Sequence, residues 1–133
     1  ILSISEEQII DIHSSKPYYV FMIGFSPGFP YLGGLDNRLI ISRKSTPSRR
    51  VVKGSVAIGG AQTGIYPIDS PGGWYVIGKT PVNLFNTSNF NQPEIVPVAD
   101  YIKFRSISFD EFILIENSIK NSEFKIKKTE YND

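Results

Sequence analysis

Apolar positions in this chain come in short runs and alternations separated by glycine and proline, not in long helical stripes. "ISEEQIIDIHS" (4–14) is the first element. Ser5 can cap a short helix, Gln8 stands three residues later as the capping-box partner, and Ile4 can staple against Ile9. His13 then falls on the surface of that helix. "YYVFMIGF" (18–25) is β-branched and aromatic and ends at a Gly/Pro turn, so it reads as a buried strand. Residues 26–54 read as mostly irregular, with "LIIS" (39–42) a short strand. "SVAIGG" (55–60) and "WYVIG" (74–78) read as strands divided by turn-rich "AQTGIYPIDSPGG". "VNLF" (82–85) and "DYIKFRSI" (100–107) follow; in the latter Tyr101, Lys103 and Arg105 alternate with Ile102, Phe104 and Ser106. Ser108, with Glu111 three residues on, opens a second short helix over about 109–117. "EFKIK" (123–127) alternates and can close a sheet, and 128–133 reads as a frayed tail.

Several short strands and two small helices make a mainly β fold. All eleven glycines lie between Gly24 and Gly78, which favours a barrel or sandwich with long, shaped loops. No internal repeat or linker appears, so 1–133 reads as one domain. At 133 residues it should bury roughly two-thirds of its unfolded surface. The start at Ile1 suggests a piece of a longer protein.

The charge pattern adds a direction. Net charge is +1, but residues 12–93 carry eight Lys/Arg against Asp36 and Asp69 alone, while both flanks are acidic. The middle of the chain is therefore suited to a carboxylate, a phosphate or an acidic protein surface. There is no cysteine, which excludes disulfides and a thiolate nucleophile. One histidine and no cysteine argue against a transition-metal site. No apolar run spans a membrane, no signal peptide is evident, and the expected setting is cytoplasmic. Basic residues do not interleave with aromatics, so nucleic acid is not an expected partner.

Two motifs invite chemistry and fail on mechanics. Gly24-Phe25-Ser26-Pro27-Gly28 matches the G-x-S-x-G of a serine hydrolase, but the residue after the serine must donate an oxyanion-hole N–H, and Pro27 has none. "GWYVIGKT" (73–80) matches a P-loop pattern, yet Trp74-Tyr75-Val76-Ile77 is strand-like and Pro81 follows, whereas a P-loop opens a helix.

What remains is a set of loops, "GFSPGFPYLGGLD" (24–36), "GGAQTGIYP" (59–67) and "SPGGW" (70–74). Phe29, Tyr31, Tyr66 and Trp74 can wall a cleft. Ser26, Gln62, Thr63 and Ser70 can supply hydrogen bonds, and Arg43 and Arg50 charge. Gly28, Gly59, Gly60 and Gly72 let backbone approach a ligand. Asp36 and Asp69 are the only carboxylates nearby and also suit turn formation. No residue is singled out as a general base.

These loops carry a resemblance. "GFSPGFPYLGGLDNRL", "GSVAIGGAQTGIYP" and "SPGGWYVIGKTPVNLF" are similar to the C-terminal domain shared by the B subunit of 5-oxoprolinase, allophanate hydrolase subunit 1-like proteins and the kinase inhibitor KipI. The match runs from about Tyr18 to Phe112. The resemblance implies a cyclophilin-like closed β-barrel with two helices, preceded in the whole protein by an N-terminal α/β domain. It implies a non-autonomous component of an ATP-dependent enzyme that opens 5-oxoproline to L-glutamate. Its partners would be an A-type subunit and a C-type subunit, the latter similar to allophanate hydrolase subunit 2. ATP would be used by the assembled enzyme, with no cofactor or metal bound by this domain alone. The alternative within the family is an inhibitor that binds a sporulation histidine kinase and blocks its autophosphorylation. "SRKSTPSRRVVKGS" (42–55) departs from the family pattern. Ser42 replaces a proline, Ser48 an arginine, and Val52-Lys53 a Pro-Ala pair. Lys79 stands for an arginine and Ala99 for a glycine.

Overall fold

A computed structural model describes residues 2–24, 29–82 and 99–121. Its elements are α1 (Glu6–His13), β1 (Tyr18–Ile23), β2 (Pro30–Gly33), a 3-10 turn (Asn37–Leu39), β3 (Ser48–Val51), β4 (Ser55–Gly59), β5 (Gln62–Ile65), β6 (Ser70–Gly72), β7 (Tyr75–Lys79), β8 (Tyr101–Ile102) and α2 (Phe109–Lys120). The fold is mainly β with two helices.

Local signals set both helices. The Ser5 hydroxyl accepts from the Gln8 N–H while the Gln8 side chain accepts from the Ser5 N–H, the expected reciprocal cap. Ser108 caps α2 by accepting from the Glu111 N–H, and Arg105 pairs with Glu111 at 2.6 Å. α2 runs three residues further than expected, to Lys120.

Six strands form one sheet in the order β7-β4-β5-β2-β1-β8, and β3 with β6 forms a second, two-stranded sheet. Every pairing is antiparallel. Among the described residues the six-stranded sheet does not close: β7 and β8 are its two edges. The expected closed barrel is thus not seen, and two further expected strands (82–85 and 123–127) lie almost wholly outside the described residues. The sheet does curve, since Ile77 of β7 and Phe104 beyond β8 both pack against Val56 and Ile65.

Four strands arise where turns or irregular chain were expected. β2 and β3 fall in 26–54, and β5 and β6 in the stretch between β4 and β7. Their glycines and prolines have low strand propensity, and cross-strand pairing decides instead. In the other direction, 100–107 alternates well but only Tyr101 and Ile102 find a partner strand. "LIIS" reduces to a single bridge between Ile41 and Gly60. Within the phosphate-loop match at 73–80, Tyr75–Lys79 form strand β7, and no helix opens directly after it among the described residues.

The principal core lies on one face of the sheet. Ile12, Tyr18, Val20, Leu32, Leu35, Leu39 and Ile58 pack there, with Ile4 and Ile9 of the N-terminal segment against them. His13 belongs to this core, not to the helix surface: it is 5% exposed. Its ring lies 5.1 Å from that of Tyr18 and 4.6 Å from that of Phe104. His13 shares the helical stripe of Ile9 and Ile12, so packing α1 against the sheet carries it inward.

Candidate functional site

Register divides β4 and β5 into two faces. Ile58 pairs with Thr63 and Val56 with Ile65, facing the principal core. Ala57 pairs with Gly64 and Gly59 with Gln62, facing the other way. On that second face Phe29, Tyr66 and Trp74 pack with Ala57 and Val51, and Tyr31 sits at the margin. Phe29 lies edge-on to Tyr66 at 5.1 Å and to Trp74 at 5.6 Å, and 4.9 Å from Tyr31. The expected open aromatic cleft is instead a packed cluster, with Phe29, Tyr66 and Trp74 only 2%, 2% and 4% exposed. Burial of these large rings supplies the strongest apolar driving force on this face.

Glycine makes the cluster possible at two points. A Cβ on Gly59 would fall within 2.6 Å of the Trp74 indole, and one on Gly72 would overlap the Tyr66 hydroxyl. The small bed and the rings above it are therefore matched.

The polar residues separate by face. Gln62 is half-buried on the aromatic side. Thr63, one residue on, points into the principal core, where its hydroxyl lies 2.7 Å from His13 Nε2 and 3.1 Å from the Ala57 carbonyl. That carbonyl takes the hydroxyl proton, so the Thr63 oxygen accepts from His13 Nε2–H. Burial holds His13 neutral, lowering its pKa from 6.5 to about 4. Thr63 is thus a core hydrogen-bond partner and does not face the cluster.

Tyr66 carries the chemistry of the cluster. Burial raises its hydroxyl above its ordinary pKa, while the Trp74 backbone N–H and the charge of Arg43 act the other way. Arg43 is exposed beside Gly73. Lys44, which sequence reasoning did not select, donates its backbone N–H to the Gly73 carbonyl at 2.8 Å. Its ammonium lies 3.1 Å from the Ser48 hydroxyl and 5.3 Å from the Tyr75 ring centre. A cation therefore stands at Ser48, where the family pattern has arginine. Ser70 Oγ is buried and has no hydrogen-bond partner among the described residues. Ser26 and Gly28 lie outside the described residues.

Arg50 has another role. It donates to Asp69 at 2.5 and 3.1 Å, and the Lys53 N–H donates to the same carboxylate at 2.7 Å. Those bonds, the Lys53 N–H first, hold the Asp69 carboxyl below its usual range. Asp36 caps the 3-10 turn and takes two bonds from the Arg38 guanidinium, which hold its carboxyl far below the usual range. Both acids fix turns, and neither is available as a base. The face thus offers a neutral phenol and an amide, with the Arg43 cation beside them, a set that orients an anionic or amide group. Among the described residues no cluster of His, Asp and Glu could hold a metal ion.

Sequence reasoning also passed over an exposed aromatic row. Tyr19 and Tyr101 pair across β1 and β8 with rings 5.3 Å apart, and Phe21 lies 6.3 Å from Tyr31. Tyr19, Phe21, Met22 and Tyr101 are each 40–46% exposed. The register shift between Val20 and Met22 obscures the row in a simple alternation.

This architecture is that of the carboxyltransferase domain, subdomains C and D: the family model matches residues 1–96, and the chain belongs to that family. Among curated proteins it is 48% identical over 109 residues to the B subunit of 5-oxoprolinase from Bacillus subtilis, covering 82% of this chain and 45% of that protein. It is 54% identical over 98 residues to the B subunit of 5-oxoprolinase from Haemophilus influenzae, covering 74% and 46%. A conserved uncharacterized protein of Pyrococcus horikoshii superposes with a TM-score of 0.76 at 47% identity, over 82% of this chain and 50% of that one. The urea amidolyase of K. lactis shares the fold, with a TM-score of 0.81 at 23% identity over 96% of this chain and 8% of its own. The chain spans about half the length of the 5-oxoprolinase B subunits it matches. No helix among the described residues is long and apolar enough to cross a membrane.

Proposed function

We propose that this chain is the C-terminal part of a B subunit of 5-oxoprolinase, acting with A-type and C-type subunits in the ATP-dependent opening of 5-oxoproline to L-glutamate. The observation that carries this reading is the identity of 45–54% to three proteins of that name over 98 to 109 residues. The relatives lend no support to the kinase-inhibitor alternative.

In this reading the domain binds and orients. Arg43 receives the carboxylate of the substrate, Gln62 and the Tyr66 hydroxyl hold the ring amide, and the packed Phe29 and Trp74 keep these groups in place and dry. Fixed donors of this kind act by positioning and charge stabilisation. The general base and the ATP-handling groups belong to the rest of the assembly. The row of Tyr19, Phe21, Met22 and Tyr101 meets a partner protein of the complex, since exposed aromatic and methionine side chains are enriched at the centre of such interfaces.

Arg43→Ala and Gln62→Ala test the site in the reconstituted enzyme. Each is expected to lower turnover about 100-fold with an unchanged unfolding midpoint. Full turnover in both variants would refute the site assignment.

A further inference from the structure

A second concavity lies away from the aromatic face. A cavity of about 450 Å³ opens between β3, the start of β4, the end of β7 and helix α2. That volume suits a small organic ligand. None of Phe29, Tyr31, Tyr66 and Trp74 lines it.

Its charge is uneven. Arg50, Lys53, Lys79 and Lys120 line it against Asp69 and Glu116. Asp69 is already engaged by Arg50 and by the Lys53 N–H. Three ammonium groups therefore face one remaining carboxylate. The rest of the wall is apolar, from Val52, Pro81 and Val82 on one side to Phe112 and Ile119 of α2 on the other. Lys79 reaches across, its ammonium 6.0 Å from the Phe112 ring centre. α2 has no fully buried residue, and its inward stripe of Phe112, Glu116 and Ile119 stands partly buried over the cavity.

The type of cation selects the anion. A carboxylate is best matched by a guanidinium fork, and the only fork here is held by Asp69. Lysines are point charges on flexible stems and suit the three oxygens of a phosphate. We infer that this cavity binds a small organic phosphate, with the phosphate among Lys53, Lys79 and Lys120 and the apolar portion between Val82 and Phe112. This inference stands apart from the proposed 5-oxoprolinase role.

The test is calorimetric titration of the protein with phenyl phosphate, alongside inorganic phosphate and benzoate. Saturable one-to-one binding of phenyl phosphate is expected, tighter than either comparison ligand. Lys79→Gln and Lys53→Gln should each weaken it at least about 10-fold, Glu116→Gln should tighten it, and Arg43→Ala should leave it unchanged. Circular dichroism checks that each variant is folded. No saturable binding, equal affinity for benzoate, or indifference to both lysine substitutions would overturn the inference.

Discussion

His13 Nε2 lies 2.7 Å from the Thr63 hydroxyl, joining α1 to β5 across fifty residues of chain. Thr63 donates in turn to the Ala57 carbonyl, and burial of the His13 ring away from water disfavours its charged form. Its folded pKa of about 4 lies below the ordinary 6.5. The unfolded chain therefore takes up the proton first as pH falls. Stability should be full above about pH 6.5, decline from there to about pH 4, and show no further loss from His13 below that. The loss should reach up to about 3 kcal/mol. The lowered carboxylates Asp36, Asp69 and Glu111, with ordinary values of 3.8, 3.8 and 4.5, act at the bottom of this window and below it. Urea unfolding at pH 7, 5.5 and 4 checks the slope. His13→Leu should be less stable at pH 7 and should lose most of the dependence between pH 6.5 and 4. A wild-type protein equally stable at pH 7 and 4.5 would contradict this.

Gly59→Ala should destabilise the protein by about 1–3 kcal/mol, because the added methyl meets the Trp74 indole. Trp74 is the single tryptophan, so its fluorescence reports on the cluster directly. The variant should show a red-shifted emission and an earlier urea midpoint. Unchanged emission and midpoint would mean that the indole does not rest on Gly59.

Phe29 and Phe21 should respond oppositely, although both are phenylalanines near β2. Phe29 is 2% exposed and Phe21 is 41% exposed. Phe29→Ala should lose about 3–5 kcal/mol of stability. Phe21→Ala should change stability by less than about 1 kcal/mol while weakening association with the other subunits, as measured by co-elution of the reconstituted complex. Intact co-elution of Phe21→Ala would remove the aromatic row from the interface.

The parts of the fold legible in the sequence were local. Ser5 with Gln8, and Ser108 with Glu111, announce their helices because a cap is completed within one turn. The burial of His13 was not read from the sequence, which set it on the helix surface; its partner Thr63 lies fifty residues along the chain. β5 hides among turn residues because Gly64 becomes strand only by pairing with Ala57 and Tyr31. The site was half legible. The motifs do converge on one face, bringing Phe29, Tyr31, Gln62, Tyr66 and Trp74 together. Gln62 and Thr63 were nominated side by side, yet strand alternation sends neighbours to opposite faces. Arg50 has the look of a ligand-binding cation in the sequence, but Asp69, nineteen residues on, holds it. Lys44 could not be found from its own position, since its value lies in reaching Ser48 and Gly73.

The central claim is tested most directly by reconstitution. The full-length protein is combined with A-type and C-type subunits, ATP and 5-oxoproline, and glutamate release is assayed with and without it. Glutamate release that requires this protein is expected. No release, from partners that turn over when supplied with another B subunit, would contradict it.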